Sequence, residues 1–208
     1  YNIKFFYVII IYYYIYFFFV RCMYKIKLLE GFLKGKIIYY NKNVKITLFI
    51  IRKILFSWIG NYVYNSRVLD MFGGSGVLSF EALSRGASYV VTVEKSLNIY
   101  DDILLNKIKL NLKNMRVVND DIFIWLKNLL KIKAYIKCFD IIFIDSPYDS
   151  NYLFYCLNVL FKYHLVTNFS YIYIESYVKF ENEFFLFKYK ILKSKIVGNV
   201  YFYIVRKM

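Results

Sequence analysis

Four short apolar runs through the middle of this 208-residue chain each end at or near a carboxylate: "RVLDMF" at Asp70, "SYVVTVE" at Glu94, "MRVVN" before Asp121, and "FDIIFID" at Asp145. Segments with helical character separate them. "GVLSFEALSRG" reads as a helix closed by Gly86, Leu97 to Lys113 as a second helix, and "DIFIWLKNLLK" as a third with Asp120 or Asp121 at its start. Near-continuous apolar strands alternating with helices are what a parallel sheet covered on both faces produces, because its strands meet apolar neighbours above and below. A helix around Asn151 to Tyr163 and a strand "SYIYIES" follow, and Phe184 to Arg206 reads as two strands joined near Gly198 and Asn199. The expected fold is α/β: a doubly wound, mostly parallel seven-stranded Rossmann-like sheet with an antiparallel C-terminal hairpin.

In such a sheet, ligands bind beyond the carboxyl ends of the strands. Any one of the four acids reads equally well as a helix cap or a surface charge, and Asp121 suits an N-cap. Four in register at successive strand ends form a rim. The loop "DMFGGSG" lets the backbone approach a nucleotide, and Glu94 on the next strand lies where an acid accepts hydrogen bonds from both ribose hydroxyls. A dinucleotide fold would place a third glycine at residue 79, which is Ser79, and would bring a pyrophosphate against Asp70. A carboxylate repels a phosphate and attracts a cation. The ligand that satisfies this set is S-adenosylmethionine: ribose for Glu94, adenine amine for Asp121, and a cationic end for Asp70, with Phe72, Gly73, Gly74, Ser75 and Gly76 supplying the loop.

"DSPY", Asp145 to Tyr148, suggests the reacting group. An exocyclic amine on a base must have its delocalised lone pair turned toward the methyl. Asp145 and the carbonyl of Ser146 are placed to accept its two N–H bonds, Pro147 sets the turn, and Tyr148 stacks on the base. A strand-end Asp followed by an ordinary proline turn, with Tyr148 in the core, is the competing reading.

Composition adds little, because Phe, Tyr, Ile, Lys and Asn are used wherever chemistry tolerates them, as an AT-rich coding sequence would produce. Charge placement says more. Residues 1 to 53 carry ten basic residues against Glu30 alone, a net +9 of the chain's +15. Such a segment fits a polyanion, RNA or DNA first, although a solvated lysine-rich face gives the same pattern. Cys22, Cys138 and Cys156 are odd in number and widely spaced, which indicates neither a disulfide framework nor a zinc site and fits a reducing cytoplasm. The single His164, in an apolar neighbourhood, is not expected to be catalytic.

The apolar run Phe5 to Val20 is 16 residues long, short of the roughly 20 that span a bilayer. The chain begins at Tyr1 and its first methionine is Met23, so residues 1–22 are expected to be upstream sequence outside the domain, with a weak membrane anchor as the alternative. The expected organisation is then a basic segment and helix over residues 23–60 and a methyltransferase domain over residues 61–208.

From Met23 onward the sequence closely resembles the RsmD family, bacterial enzymes that methylate guanine N2 in 16S ribosomal RNA. "DMFGGSGVLSFEALSRGASYVVTVE" is similar to the family's D-x-F-A-G-S-G-x-L-x-x-E-A-L-S-R-G-A block with its following acid, and "IIFIDSPY" to its strand ending in D-P-P-F/Y. "YIYIES", "VGNVYFYI", "MYKIKLLEGFLKGKII" and "IRKILFSWI" resemble further family segments. The resemblance implies that Asp145, Ser146, Pro147 and Tyr148 form the catalytic motif, with Tyr148 under a flipped-out guanine. It implies that Lys25, Lys34, Lys36, Lys45 and Arg52 hold RNA phosphates of 16S RNA or an assembling small subunit. No metal, membrane or second copy of the chain is expected. Ser146 stands where the family has its first proline, which removes stiffening from Asp145. An amino methyltransferase acting on DNA adenine or a protein glutamine, and a catalytically weakened nucleic-acid binder, are the alternatives.

Overall fold

The computed structural model describes residues 24–131, 139–146, 150–180 and 188–208. Residues 1–22, Cys138, Pro147 and Tyr148 lie outside the described residues, and with them the readings placed there.

The chain opens with an antiparallel hairpin, β1 (Tyr24–Lys27) and β2 (Ile37–Tyr40), followed by α1 (Phe49–Ile59) and one 3-10 turn (Gly60–Val63). The alternating region then runs β3 (Arg67–Asp70), α2 (Val77–Ser84), β4 (Tyr89–Glu94), α3 (Leu97–Lys109), β5 (Met115–Asn119), α4 (Ile122–Lys131) and β6 (Phe139–Ile144). It closes with α5 (Ser150–Lys162), β7 (Val166–Ser176), β8 (Tyr189–Val197) and β9 (Val200–Lys207). Seven strands form one sheet in the order β5-β4-β3-β6-β7-β9-β8. Pairing is parallel from β5 to β7 and antiparallel where β9 meets β7 and β8. The doubly wound sheet with its C-terminal hairpin is as the sequence predicts.

The apolar runs become central strands because both faces are covered. Ile141, Ile142, Phe143 and Ile144 of β6 alternate between two cores yet are all 0% exposed. One core joins the sheet to β1, β2, α1, α2 and α3; the other joins it to α4 and α5. The order of strands reverses between β3 and β6, so their carboxyl ends, Asp70 and Asp145, flank the crevice where open α/β sheets bind ligands.

Two expectations shift. The helix predicted over Leu97 to Lys113 stops at Lys109, because Asn111 takes a left-handed φ of 52°. Leu112 N–H then bonds to Lys107 O and Asn111 N–H to Ile108 O, which satisfies the last carbonyls of the helix. The basic front segment also has more structure than its charge pattern indicates. Tyr39 exchanges two hydrogen bonds with the Asn106 side chain of α3, and the backbone N–H groups of Phe32 and Leu33 donate to Ser84 at the end of α2. This front hairpin is docked on the domain through the same core as the sheet.

Candidate active site

The rim acids converge. A cavity of about 340 Å³ opens at the carboxyl ends of β3, β4 and β6, lined by the Asp70–Ser75 loop, Glu94, Asp120, Asp121, Asp145 and Ser146. Val44, Phe72, Val93, Ile99 and Ile122 supply apolar wall. Gly76 closes the loop at the start of α2 with φ 73°, a left-handed conformation that favours glycine. At Gly73 a Cβ would stand 2.9 Å from both Ile103 Cδ1 and Thr92 Cγ2, so the loop lies too close to β4 and α3 for any side chain there.

Each acid is held differently. Glu94 accepts Gly74 N–H on Oε2 at 2.9 Å and Ser96 N–H on Oε1 at 2.8 Å, which fixes the carboxylate while leaving each oxygen a second lone pair. Asp121 accepts Phe123 N–H at 3.0 Å, the N-cap geometry expected of it, and pairs with Lys95 at 3.1 Å. Burial works to raise its carboxyl, but the Lys95 hydrogen bond and the backbone N–H groups of Phe123 and Ile124 hold it below the ordinary range.

Asp70 is 3% exposed and accepts a hydrogen bond from Ser79 Oγ at 2.7 Å; Ser79 lies 2.8 Å from Thr92 Oγ1. The residue that broke the dinucleotide pattern is thus the anchor of the loop's carboxylate. Burial above all, opposed by Ser79 and reinforced by the charges of Asp145 and Glu94, pushes Asp70 up to about 8.

Asp145 has the densest surroundings. Lys45 Nζ lies 2.6 Å from its Oδ1 and 3.0 Å from Glu175 Oε1, while Glu175 Oε2 accepts the Tyr173 hydroxyl at 2.9 Å. Lys45 also stands 4.8 Å from the centre of the Tyr177 ring. Burial and the neighbouring Glu175 charge push Asp145 up to about 7 against the pull of Lys45. For Lys45 itself, burial works downward, but the two carboxylates prevail and raise it above the usual lysine value. Asp70 and Glu175 are buried and Asp145 partly so, and Lys45 is the cation held between Asp145 and Glu175.

Asp70, Glu94, Asp121, Asp145 and Ser146, all singled out in the sequence, line one cavity, and Glu175 and Lys45 join them at Asp145. Glu175 ends the apolar run "YIYIES" just as the other rim acids end theirs, so the signal was present. Lys45 sits 100 positions from Asp145, and nothing local announces their pairing. Of the five residues expected on RNA phosphates, Lys25, Lys34 and Lys36 are exposed on the front hairpin. Lys45 lines the cavity instead. Arg52 is a correction: it is 5% exposed, bonded to Glu81 Oε1 at 3.0 Å, and faces the core from α1. Glu81 also binds Arg85 and accepts Leu29 N–H, so Arg52 belongs to a buried network that ties the front segment to α2. Cys156 is buried, and His164 occupies the turn after α5 at φ 53°.

Among the described residues no helix is long and apolar enough to cross a membrane. The family described as "Conserved hypothetical protein 95" matches residues 26–206. A "Ribosomal RNA small subunit methyltransferase D" from Buchnera aphidicola is 37% identical over 153 residues, 73% of this chain and 78% of that protein. Among solved structures, a putative methyltransferase from Escherichia coli superposes with a TM-score of 0.76 at 24% identity, covering 88% of this chain and 98% of that one. A putative methyltransferase complexed with SAH superposes at 0.66, with 15% identity, over 89% of this chain and 56% of its own.

Proposed function

Because this chain belongs to the RsmD family of small-subunit ribosomal RNA methyltransferases, we propose that it methylates the exocyclic N2 amine of a guanine in 16S ribosomal RNA, with S-adenosylmethionine as donor. The observation that carries this reading is the shared cavity: Asp145 and Ser146, at the end of β6, open onto the same space as the glycine loop, Glu94 and Asp121.

The residues present fit that donor. Glu94 keeps one lone pair per oxygen that would serve ribose hydroxyls, Asp120 or Asp121 would take the adenine amine, and Phe72, Ile99 and Ile122 would offer apolar wall to a base. Asp70 and Asp145, both raised by burial, gain from a cation between them. When bound, S-adenosylmethionine supplies an electrophilic methyl on a sulfonium centre.

The chain's own residues then have two tasks. Asp145 Oδ1 is engaged by Lys45, which fixes the carboxylate and leaves Oδ2 to accept an N–H of the target amine. That bond draws density onto the nitrogen and turns its lone pair out of the base plane. With its carboxyl near 7, Asp145 is also matched to take the amine's proton at neutral pH. Lys45 restrains the Asp145 carboxylate, where Ser146 lacks the backbone stiffening of a proline. Asp70, in the loop beneath, stays bonded to Ser79 and sets the charge of the pocket floor.

The experiment is incorporation of labelled methyl into small ribosomal subunits that lack the modification, with Asp145→Ala alongside. Wild-type protein should label the RNA, and the variant should lose at least a hundredfold in rate while binding S-adenosylhomocysteine nearly as well. Label on DNA or on a protein glutamine, or equal activity in the variant, would remove this assignment.

A further inference from the structure

Strand register brings a second basic surface up beside the site. On the edge strand β8, Lys193 pairs with Ile204 and Lys195 with Phe202 of β9, which pair in turn with Tyr173 and Glu175 of β7. Residues opposite one another across strands share a face of the sheet. Tyr173, Phe202 and Ile204 all enter the core under α1, so both lysines emerge on the α1 side. Lys193 Nζ stands 6.0 Å from the Trp58 ring of α1, and Trp58 itself lies on Phe202 with ring centres 5.2 Å apart. Lys195 sits two strand spacings, roughly 10 Å, from Glu175, the acid that shares Lys45 with Asp145.

The described strands and helix of this surface carry charge of one sign. Residues 188–208 hold Lys188, Lys190, Lys193, Lys195, Arg206 and Lys207 with no acid, and α1 has none either while exposing Lys53. The front hairpin, with Lys25, Lys34 and Lys36, is docked on α3 toward the other edge of the sheet. A polyanion at the cavity therefore has cations on both flanks. Resting on the RNA substrate proposed above, we infer that Lys193, beside Trp58, and Lys195, opposite Phe202, form a second phosphate-binding surface that holds the RNA backbone on the β8 side of the target nucleotide. The lysines act through backbone charge and carry no sequence information, while Trp58 stiffens the patch through its contacts with Lys193 and Phe202.

The test is a filter-binding titration of an unmethylated 16S ribosomal RNA fragment at several salt concentrations, with Lys193→Gln/Lys195→Gln as the variant. Lys188→Gln/Lys207→Gln is the control, because Lys188 and Lys207 lie over Phe161 on the opposite face at 5.3 and 4.5 Å and remove the same charge. The first double variant should weaken RNA binding about tenfold near physiological salt and flatten the slope of log affinity against log salt by roughly 1.5 to 2. The control should stay within about threefold of wild type. Equal losses in both would reduce the effect to net charge, and no loss in either would leave the β8 lysines as guards of an open sheet edge; each result overturns the inference. If wild type binds RNA through this face yet transfers no methyl, the proposed function falls and the surface stands. If methyl transfer proceeds and the β8 variant keeps its KM for RNA, the surface alone falls.

Discussion

Replacing Lys45 with methionine should convert a neutral-pH enzyme into an alkaline one. The wild-type lysine stands 2.6 Å from Asp145 and 3.0 Å from Glu175, and it is the cation opposing burial and the Glu175 charge at Asp145. An opposite charge within 4 to 6 Å is worth about 1 to 3 pH units to a carboxylate. Starting from about 7, the Asp145 carboxyl in Lys45→Met should ionise at roughly 8 to 10. In the proposed mechanism the amine needs the carboxylate as its acceptor, so the active form is the deprotonated one, and raising its pKa moves the acidic limb of the rate profile to higher pH. At pH 7.5 the ionised fraction drops from about three-quarters to between a quarter and well under one per cent, a loss in kcat/KM of about threefold to two hundredfold. Single-turnover methyl transfer followed from pH 6 to 10 reads this directly. Lys45→Arg should retain the wild-type limb. A Lys45→Met profile with an unmoved limb, or a loss that higher pH does not restore, would refute this role for the lysine.

Other parts of the structure give further expectations. Arg52→Met leaves Glu81 buried with less compensation and should cost about 3 to 5 kcal/mol in chemical denaturation, while the protein that remains folded keeps its RNA affinity, since Arg52 does not reach the surface. Gly31→Ala drives a Cβ to 1.6 Å from the Ser84 carbonyl at φ +81°, so the front hairpin should lift from α2 at a cost of about 3 kcal/mol, seen as a lower melting temperature. Asp70 is raised from 3.8 to about 8 on folding. The folded state therefore holds a proton that the unfolded chain releases between those values, and this contribution to stability is lost as pH rises through about 8; Asp70→Asn should flatten the dependence of melting temperature on pH over that window. The same protonation predicts that donor binding near pH 7 expels a proton, which calorimetry in buffers of different ionisation enthalpy would register.

The parts of the fold that could be read from the residues are those where burial is uniform. β3, β4 and β6 are covered on both faces, so their sequences are mostly apolar, with Thr92 and Asp140 as breaks, and a carboxylate stands at the carboxyl end of each. The rim acids were legible for that reason, since each terminates a run. The front hairpin was not, because Tyr24, Ile37, Tyr39 and Tyr40 sit among so many aromatics that alternation between buried and exposed positions does not stand out. Charge gave position without direction: Lys36 and Arg52 look alike in sequence, yet one faces solvent and the other Glu81. Lys45 looked like a phosphate contact until the fold carried it across 100 positions to Asp145.

In the proposed function Asp145 presents an exocyclic amine to a cationic methyl donor. The most direct test is mass spectrometry of nucleosides from 16S ribosomal RNA after reaction with isotopically labelled S-adenosylmethionine. The label should appear in N2-methylguanosine, at a single site on mapping. Label in a 2′-O-methyl nucleoside, on a ring nitrogen or in methyladenosine would contradict the assignment of Asp145 and the chemistry built on it.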